Sequence, residues 1–315
     1  MKKLFKALTL IIASLFLMTA CEGGNSGAKD AESKAPATTE KKESTDASKE
    51  EDKEEDKESK EDDKEKDGDK KDGELTPIKV ASHTSPMTDI LEAIKPELEK
   101  DGYELELVPV SDNVQANVAL NDKEVDANFF QHKLFMEMFN KGNNGTLVAV
   151  QPVYNALVSF YGKDLDKIED IPEGGTVAIP EDPTNMTRAL RLLATTDLIT
   201  LKDPDSYEVT VDDIKENPKN LQFKEIGLLN LNEAYNECDL IFNYPAYSEK
   251  IDLLPEKDGL VLEKDGGDET FAIYLCARED NENDDKVQAM KKALTSDTVK
   301  DFVEKNLKGH ANLAF

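Results

Sequence analysis

From about Leu75 onward the chain alternates short apolar runs with amphipathic stretches, and the period of each run predicts its element. Ile78 to Ser82 reads as a strand, Thr88 to Lys100 as a helix with Ile90, Leu91, Ile94 and Leu98 on one face, and Tyr103 to Val108 as a cleanly alternating second strand. Pro96 predicts a kink or break in that helix, because it removes a backbone donor. Asn113 to Leu120 is a short helix candidate, and Val125-Asp-Ala-Asn-Phe-Phe-Gln-His132 a third strand. Leu147 to Tyr161 is too long for an ordinary strand and is interrupted by Pro152, so it is expected to cross between two lobes. The second lobe then holds the strand Thr176 to Pro180, a helix starting near Asn185, and strands at Leu221 to Ile226 and Asp239 to Tyr244. Thr270 to Ala277 is the expected return crossing. Two final helices, with Val287, Met290 and Leu294 and then Val299, Phe302 and Val303 as apolar faces, are expected to pack back on the first lobe.

Strands alternating with helices predict an α/β fold with mainly parallel sheets, and such sheets present ligand sites at the carboxyl ends of their strands. Ser82, His83, Ser111 to Asn113 and Asn128 to His132 stand at those ends. Strict alternation puts Asn128, Phe130 and His132 on one side and Phe129 and Gln131 on the other. In the second lobe Thr184 and Asn185 are cap candidates, and the outward amides of that first helical turn would attract an anion. Arg188, one turn in, adds a fork of donors suited to a carboxylate. The same residues also fit a capped helix with a solvated Arg, and a core Phe beside a surface His.

Charge divides the chain. The net charge is -28 over 315 residues, which disfavours nucleic acid and anionic membrane surfaces as partners. Residues 1–20 combine Lys2 and Lys3 with the apolar run Leu8 to Met18, the pattern of a signal peptide. Leu17-Met-Thr-Ala-Cys21 resembles a lipobox, so Cys21 is expected to carry the lipid and become the mature N-terminus. Residues 22–74 hold almost no apolar side chain and cannot offset the entropy of ordering; they are expected to be a disordered tether reaching at most on the order of 180 Å. The expected domain plan is lobe 1 over 75–155, lobe 2 over 156–276 and a return to lobe 1 over 277–315. The expected location is the outer face of a cell membrane, lipid-anchored, in a thick-walled, Gram-positive type of envelope.

An enzyme is not expected. The chain has three histidines, His83, His132 and His310, without the spacing of a Ser-His-Asp triad or a GxSxG elbow, and it has no His and Cys cluster with metal spacing. No metal and no cofactor is expected. Cys238 and Cys276 sit beside or within predicted strands of the second lobe; an outward location permits a disulfide, although strand cysteines are more often buried small apolar groups.

Three segments carry a family resemblance: Val125-Asp-Ala-Asn-Phe-Phe-Gln-His132, Val177-Ala-Ile-Pro-Glu-Asp-Pro-Thr-Asn185 followed by Arg188-Ala-Leu190, and Glu216-Asn-Pro-Lys-Asn-Leu221. In this order behind a lipobox, they resemble the methionine-binding lipoproteins that serve methionine ABC importers. The resemblance implies a two-lobed type II periplasmic-binding-protein fold with two crossover strands and a central ligand cleft. It further implies capture of methionine or a related amino acid or short peptide, and delivery to an importer's permease and ATPase subunits. Residue by residue, it puts the ligand side chain against Phe130 and His132 and the carboxylate on Arg188. Asn113, Tyr154, Asn185, Asn243 and Tyr244 complete the candidate ligand set. A surface adhesin or host-interacting lipoprotein using the same fold is the alternative.

The departures from that pattern are specific. Asn113 and Phe135 stand where the family carries Tyr, Ala156-Leu-Val-Ser159 replaces Glu-Pro-Met-Gly, and Ala246 stands where Asn is expected. A kept carboxylate anchor with altered walls implies that L-methionine is not held in the usual family manner.

Overall fold

The computed structural model describes residues 75–263 and 269–315; the signal segment, Cys21 and the charged run up to Glu74 lie outside the described residues. The first lobe begins with β1 (Thr76–Ser82), α1 (Met87–Lys100), β2 (Tyr103–Pro109), α2 (Asn113–Asn121), β3 (Ala127–His132), α3 (Lys133–Asn143) and β4 (Leu147–Ala156). Ile90, Leu91, Ile94 and Leu98 form the buried stripe of α1, as their spacing predicts. Pro96 does not end this helix, which continues through it to Lys100. It lies on the exposed face, where water can take the hydrogen-bonding group it frees, and the buried stripe holds the helix on either side.

The chain leaves the first lobe at Leu157 and Val158 and builds the second from β5 (Ser159–Tyr161), β6 (Thr176–Pro180), α4 (Pro183–Ala194), a small hairpin of β7 (Thr200–Leu201) and β8 (Ile214–Glu216), β9 (Gln222–Ile226), β10 (Leu240–Asn243), α5 (Pro245–Ser248), α6 (Pro255–Asp258) and β11 (Val261–Leu262). It returns through β12 (Ile273–Arg278), α7 (Asp285–Leu294), α8 (Asp297–Asn306) and β13 (Ala311–Leu313). The first sheet has the order β13-β4-β12-β3-β1-β2 and the second β11-β5-β10-β6-β9. Within each, the central strands are parallel (β1 with β2 and β3; β6 with β9 and β10), so their carboxyl ends share one edge. The antiparallel strand β12 starts at that edge, with Ile273 opposite His132 and Tyr154. This is the two-lobed α/β binding-protein fold that the resemblance implies.

Three sequence expectations need correction. Ile273 to Cys276 pair with β3 and β4, so the return to the first sheet starts at Ile273 rather than at residue 277. Helix α4 starts at Pro183 rather than near Asn185, and its cap is Asp182, whose carboxylate accepts from the Asn185 amide at 2.9 Å. Proline suits that first helical position because its φ is already helical and its missing N–H is not needed there. Strict alternation also fails along β3. Between Tyr274 and Leu275 the register advances from Gln131 to Phe129, leaving Phe130 as the extra residue of a β-bulge. The bulge brings Asn128 and Gln131 to the same side, where Gln131 Nε2 donates to Asn128 Oδ1 at 3.0 Å and Asn117 Nδ2 donates to Gln131 Oε1 at 2.8 Å. Cys238 and Cys276 are both buried and unpaired, and burial pushes the Cys276 thiol up to about 12.

Candidate ligand cavity

The last residue of β3, His132, is also the cap of α3: its Nδ1 accepts from the Phe135 amide at 3.2 Å. The neutral ring therefore carries its proton on Nε2, which faces Asn185 Oδ1 of the second lobe at 3.3 Å. Burial drives the His132 pKa down to about 4, with the charge of Arg188 acting in the same direction, so the ring is neutral at physiological pH. Asn185 is held from the other side. Its Nδ2 donates to both Asp182 oxygens at 3.1 and 2.9 Å, and its Oδ1 accepts from the Tyr244 hydroxyl at 2.6 Å. Arg188 Nη1 in turn donates to the Tyr244 oxygen at 3.0 Å. Arg188, Tyr244, Asn185 and His132 thus form one chain of hydrogen bonds that spans the two lobes.

Beside this chain lies a partly open cavity of about 70 Å³. The first lobe contributes Met87, Asn113, Phe130, Gln131, His132, Phe135, Tyr154, Ala156 and Ile273; the second contributes Asn185, Leu228, Tyr244, Ala246, Tyr247 and Glu249; Leu307, His310 and Ala311 close one end. Phe130 and Phe135 meet edge to face at 6.1 Å, and Tyr154 Oη donates to Met87 Sδ at 2.8 Å, so the apolar wall is interlocked. The cavity is about half the 150 Å³ that admits benzene in an engineered apolar cavity. It has room for one short side chain, and a whole amino acid needs the lobes to part.

Of the residues expected from the sequence, Asn113, Phe130, His132, Tyr154, Asn185 and Tyr244 come together on this wall. Arg188 does not. It is 1% exposed and lies behind Tyr244, where Nε donates to Glu263 Oε1 at 3.0 Å, Nη2 donates to the Ala156 carbonyl at 2.9 Å and to Glu263 Oε2, and the guanidinium lies 4.8 Å from the Phe271 ring centroid and 5.1 Å from that of Tyr244. A guanidinium taken out of water needs an internal counter-charge, and Glu263 supplies the carboxylate that the sequence assigned to a ligand. Burial opposes the charged form, but Glu263 and Tyr244 outweigh it and hold the Arg188 pKa above its ordinary value. With Glu263 and Phe271, Arg188 lines a separate depression of about 690 Å³. Asn243 also stands off the wall: its Nδ2 donates to Asn232 Oδ1 at 2.7 Å and its Oδ1 accepts from the Tyr244 amide at 2.9 Å, which fixes the turn that aims Tyr244.

Sequence reasoning missed Met87, Leu228, Tyr247, Glu249, Ile273, Leu307 and His310 as wall residues. The strand-end rule, extended four or five residues past β1 and β10, points to Met87 and Tyr247; nothing periodic marks Leu307 or His310. Asn113, Phe135, Ala156 and Ala246, the positions that depart from the family pattern, all lie on the cavity wall.

Comparison with known proteins agrees with this architecture. The family model described as NlpA lipoprotein matches residues 78–315. The methionine-binding lipoprotein MetQ of Bacillus subtilis is 34% identical over 236 residues, covering 74% of this chain and 86% of that protein. Among solved structures, a YaeC-family lipoprotein from Enterococcus faecalis is 42% identical with a TM-score of 0.69, covering 76% of this chain and all (100%) of the other. A nutrient-binding protein from Burkholderia cenocepacia, bound to methionine, is 28% identical with a TM-score of 0.71, covering 76% and 100% of the two chains. These relatives are binding proteins rather than enzymes. Among the described residues no helix is long and apolar enough to cross a membrane. The matched span and these identities show that the chain belongs to the NlpA lipoprotein family.

Proposed function

We propose that this protein is a lipid-anchored solute-binding protein, displayed outside the cell on its charged tether, that captures methionine or a related amino acid and delivers it to an ABC importer. The observation that carries the reading is the cavity between the lobes, apolar at Phe130, Phe135, Tyr154 and Ile273 and polar at His132, Asn185 and Tyr244. An apolar pocket with a few fixed polar groups is the usual design for a small-molecule site. Its volume favours a single amino acid over a peptide. The binding of methionine by relatives supports the same class of solute.

In this reading Phe130 and Phe135 contact the solute side chain, while Asn185 and Tyr244 contact its polar end. Arg188 and Asn243 are positioning residues: one polarises and holds the Tyr244 hydroxyl, the other fixes the turn before it. Arg188 also adds positive potential behind the wall, which favours a carboxylate at this end. A thermal-shift screen over the amino acids, D-methionine and short methionine peptides tests the reading. A solute at about 100 times its dissociation constant adds about 2.7 kcal/mol of stability, and no shift with any of them contradicts it.

A further inference from the structure

Next to Phe130 two buried polar atoms lack a hydrogen-bond partner: Oδ1 of Asn113, on the cavity wall, and Nε2 of His83, which flanks the wall without lining it. The His83 ring lies 5.6 Å from that of Phe130, and Asn113 lines the cavity itself. Native proteins rarely leave such atoms unmatched, because each was stripped of water on folding. The position of Asn113 is fixed: it is the first residue of α2, whose cap Asp112 accepts from the Gln115 amide at 2.9 Å. The His83 ring is kept mainly neutral by burial, with Lys250 adding to the effect and Asn113 and Asp112 opposing it.

These two atoms set a chemical requirement. A carbonyl oxygen such as Asn113 Oδ1 accepts only, so its match is a donor. Neutral His83 Nε2 donates or accepts according to its tautomer. A thioether supplies no donor and only a weak acceptor, and a hydrocarbon supplies neither. A primary amide has two N–H groups, enough for both atoms. A hydroxyl donates to Asn113 while accepting from His83.

Resting on the solute-binding reading above, we infer that the Asn113 side of the cavity, with His83 beside it, selects an amino acid whose side chain ends in a hydrogen-bond donor, a primary amide or a hydroxyl, over one ending in a thioether or hydrocarbon. Glutamine matches methionine closely in chain length and differs at the tip, which makes the pair a direct comparison.

The test is calorimetric titration of the mature full-length protein with L-glutamine, L-homoserine, L-methionine and L-norleucine. Glutamine or homoserine is expected to bind at least about tenfold more tightly than methionine and norleucine, the scale on which a polar site rejects a partner lacking the matching group. In Asn113→Leu, and separately in His83→Leu, that ratio is expected to fall by about fivefold or more, with thermal melts showing that each variant is folded. Methionine or norleucine binding as tightly as both polar ligands overturns the inference and leaves the solute-binding reading standing, as does a ratio unchanged in both variants. Binding of no amino acid at all overturns both.

Discussion

Nε2 of His132, at the end of β3, lies 3.3 Å from Oδ1 of Asn185, in the first turn of α4, and this contact joins the two lobes beside the cavity. Because Nδ1 is already engaged by the Phe135 amide, the contact requires a neutral ring with its proton on Nε2.

The pH dependence follows from that requirement. The His132 pKa falls from 6.5 to about 4 on folding, chiefly by burial. Between those values the unfolded chain takes up a proton that the folded one refuses. The contribution is therefore complete above about pH 6.5 and is lost as pH falls toward 4, roughly 3 kcal/mol in all. Thermal melts from pH 7.5 to 4.5 are expected to show this loss. His132→Asn keeps a capping oxygen for α3 but cannot titrate, and its melting profile is expected to be flatter over this range.

Arg188 and Glu263 form a pair in which either partner alone is costly. Arg188→Met leaves the Glu263 carboxylate without its counter-charge and is expected to lose roughly 3–5 kcal/mol of stability. The double variant Arg188→Met with Glu263→Leu is expected to recover a large part of that loss. Denaturant unfolding of Arg188→Met, Glu263→Leu and the double variant checks this; a double variant as unstable as the sum of the singles contradicts the pairing.

The amides of Asn117, Asn128 and Gln131 close a buried network under the bulge of β3, which sets the course of Phe130 into the cavity. Asn117→Leu strands the Asn128 and Gln131 side chains and is expected to cost about 2–4 kcal/mol, the scale of one or two unmatched buried polar groups. An unchanged denaturation midpoint would show that the network is dispensable.

Ala246 is a small residue on the second-lobe wall of the cavity. Ala246→Phe places a ring in the volume a solute needs and is expected to weaken amino-acid binding by about 100-fold, or roughly 3 kcal/mol. The ring exceeds the space of the closed cavity and is expected to be taken up by a parting of the lobes, with a modest fall in melting temperature without solute; calorimetry and a thermal melt read the two effects separately.

Much of the fold was legible because its periods are long or its ends are marked. The α1 stripe at Ile90, Leu91, Ile94 and Leu98, the crossing after Pro152 and the strand-to-helix order from Thr176 through Leu193 all leave local patterns, although the cap was misplaced from Asp182 to Thr184 and Asn185. The cavity was half legible for the same reason: Phe130, His132, Asn185 and Tyr244 follow strand ends. What escaped depends on distant partners. Glu263 is one of 67 carboxylates in the chain and nothing local marks it as the partner of Arg188, 75 residues away. The bulge at Phe130 arises from the register with β12. β13 is three residues long, too short for a period, yet its pairing with β4 brings Ala311 to the cavity.

The central claim is that an amino acid occupies the space between the lobes. Native mass spectrometry of the protein, purified without added solute and again after incubation with an equimolar mixture of the common amino acids, tests it most directly. The expected result is a one-to-one complex with one or a few amino acids, abolished in Ala246→Phe. A bare chain under both conditions, or a complex that survives unchanged in that variant, would contradict it.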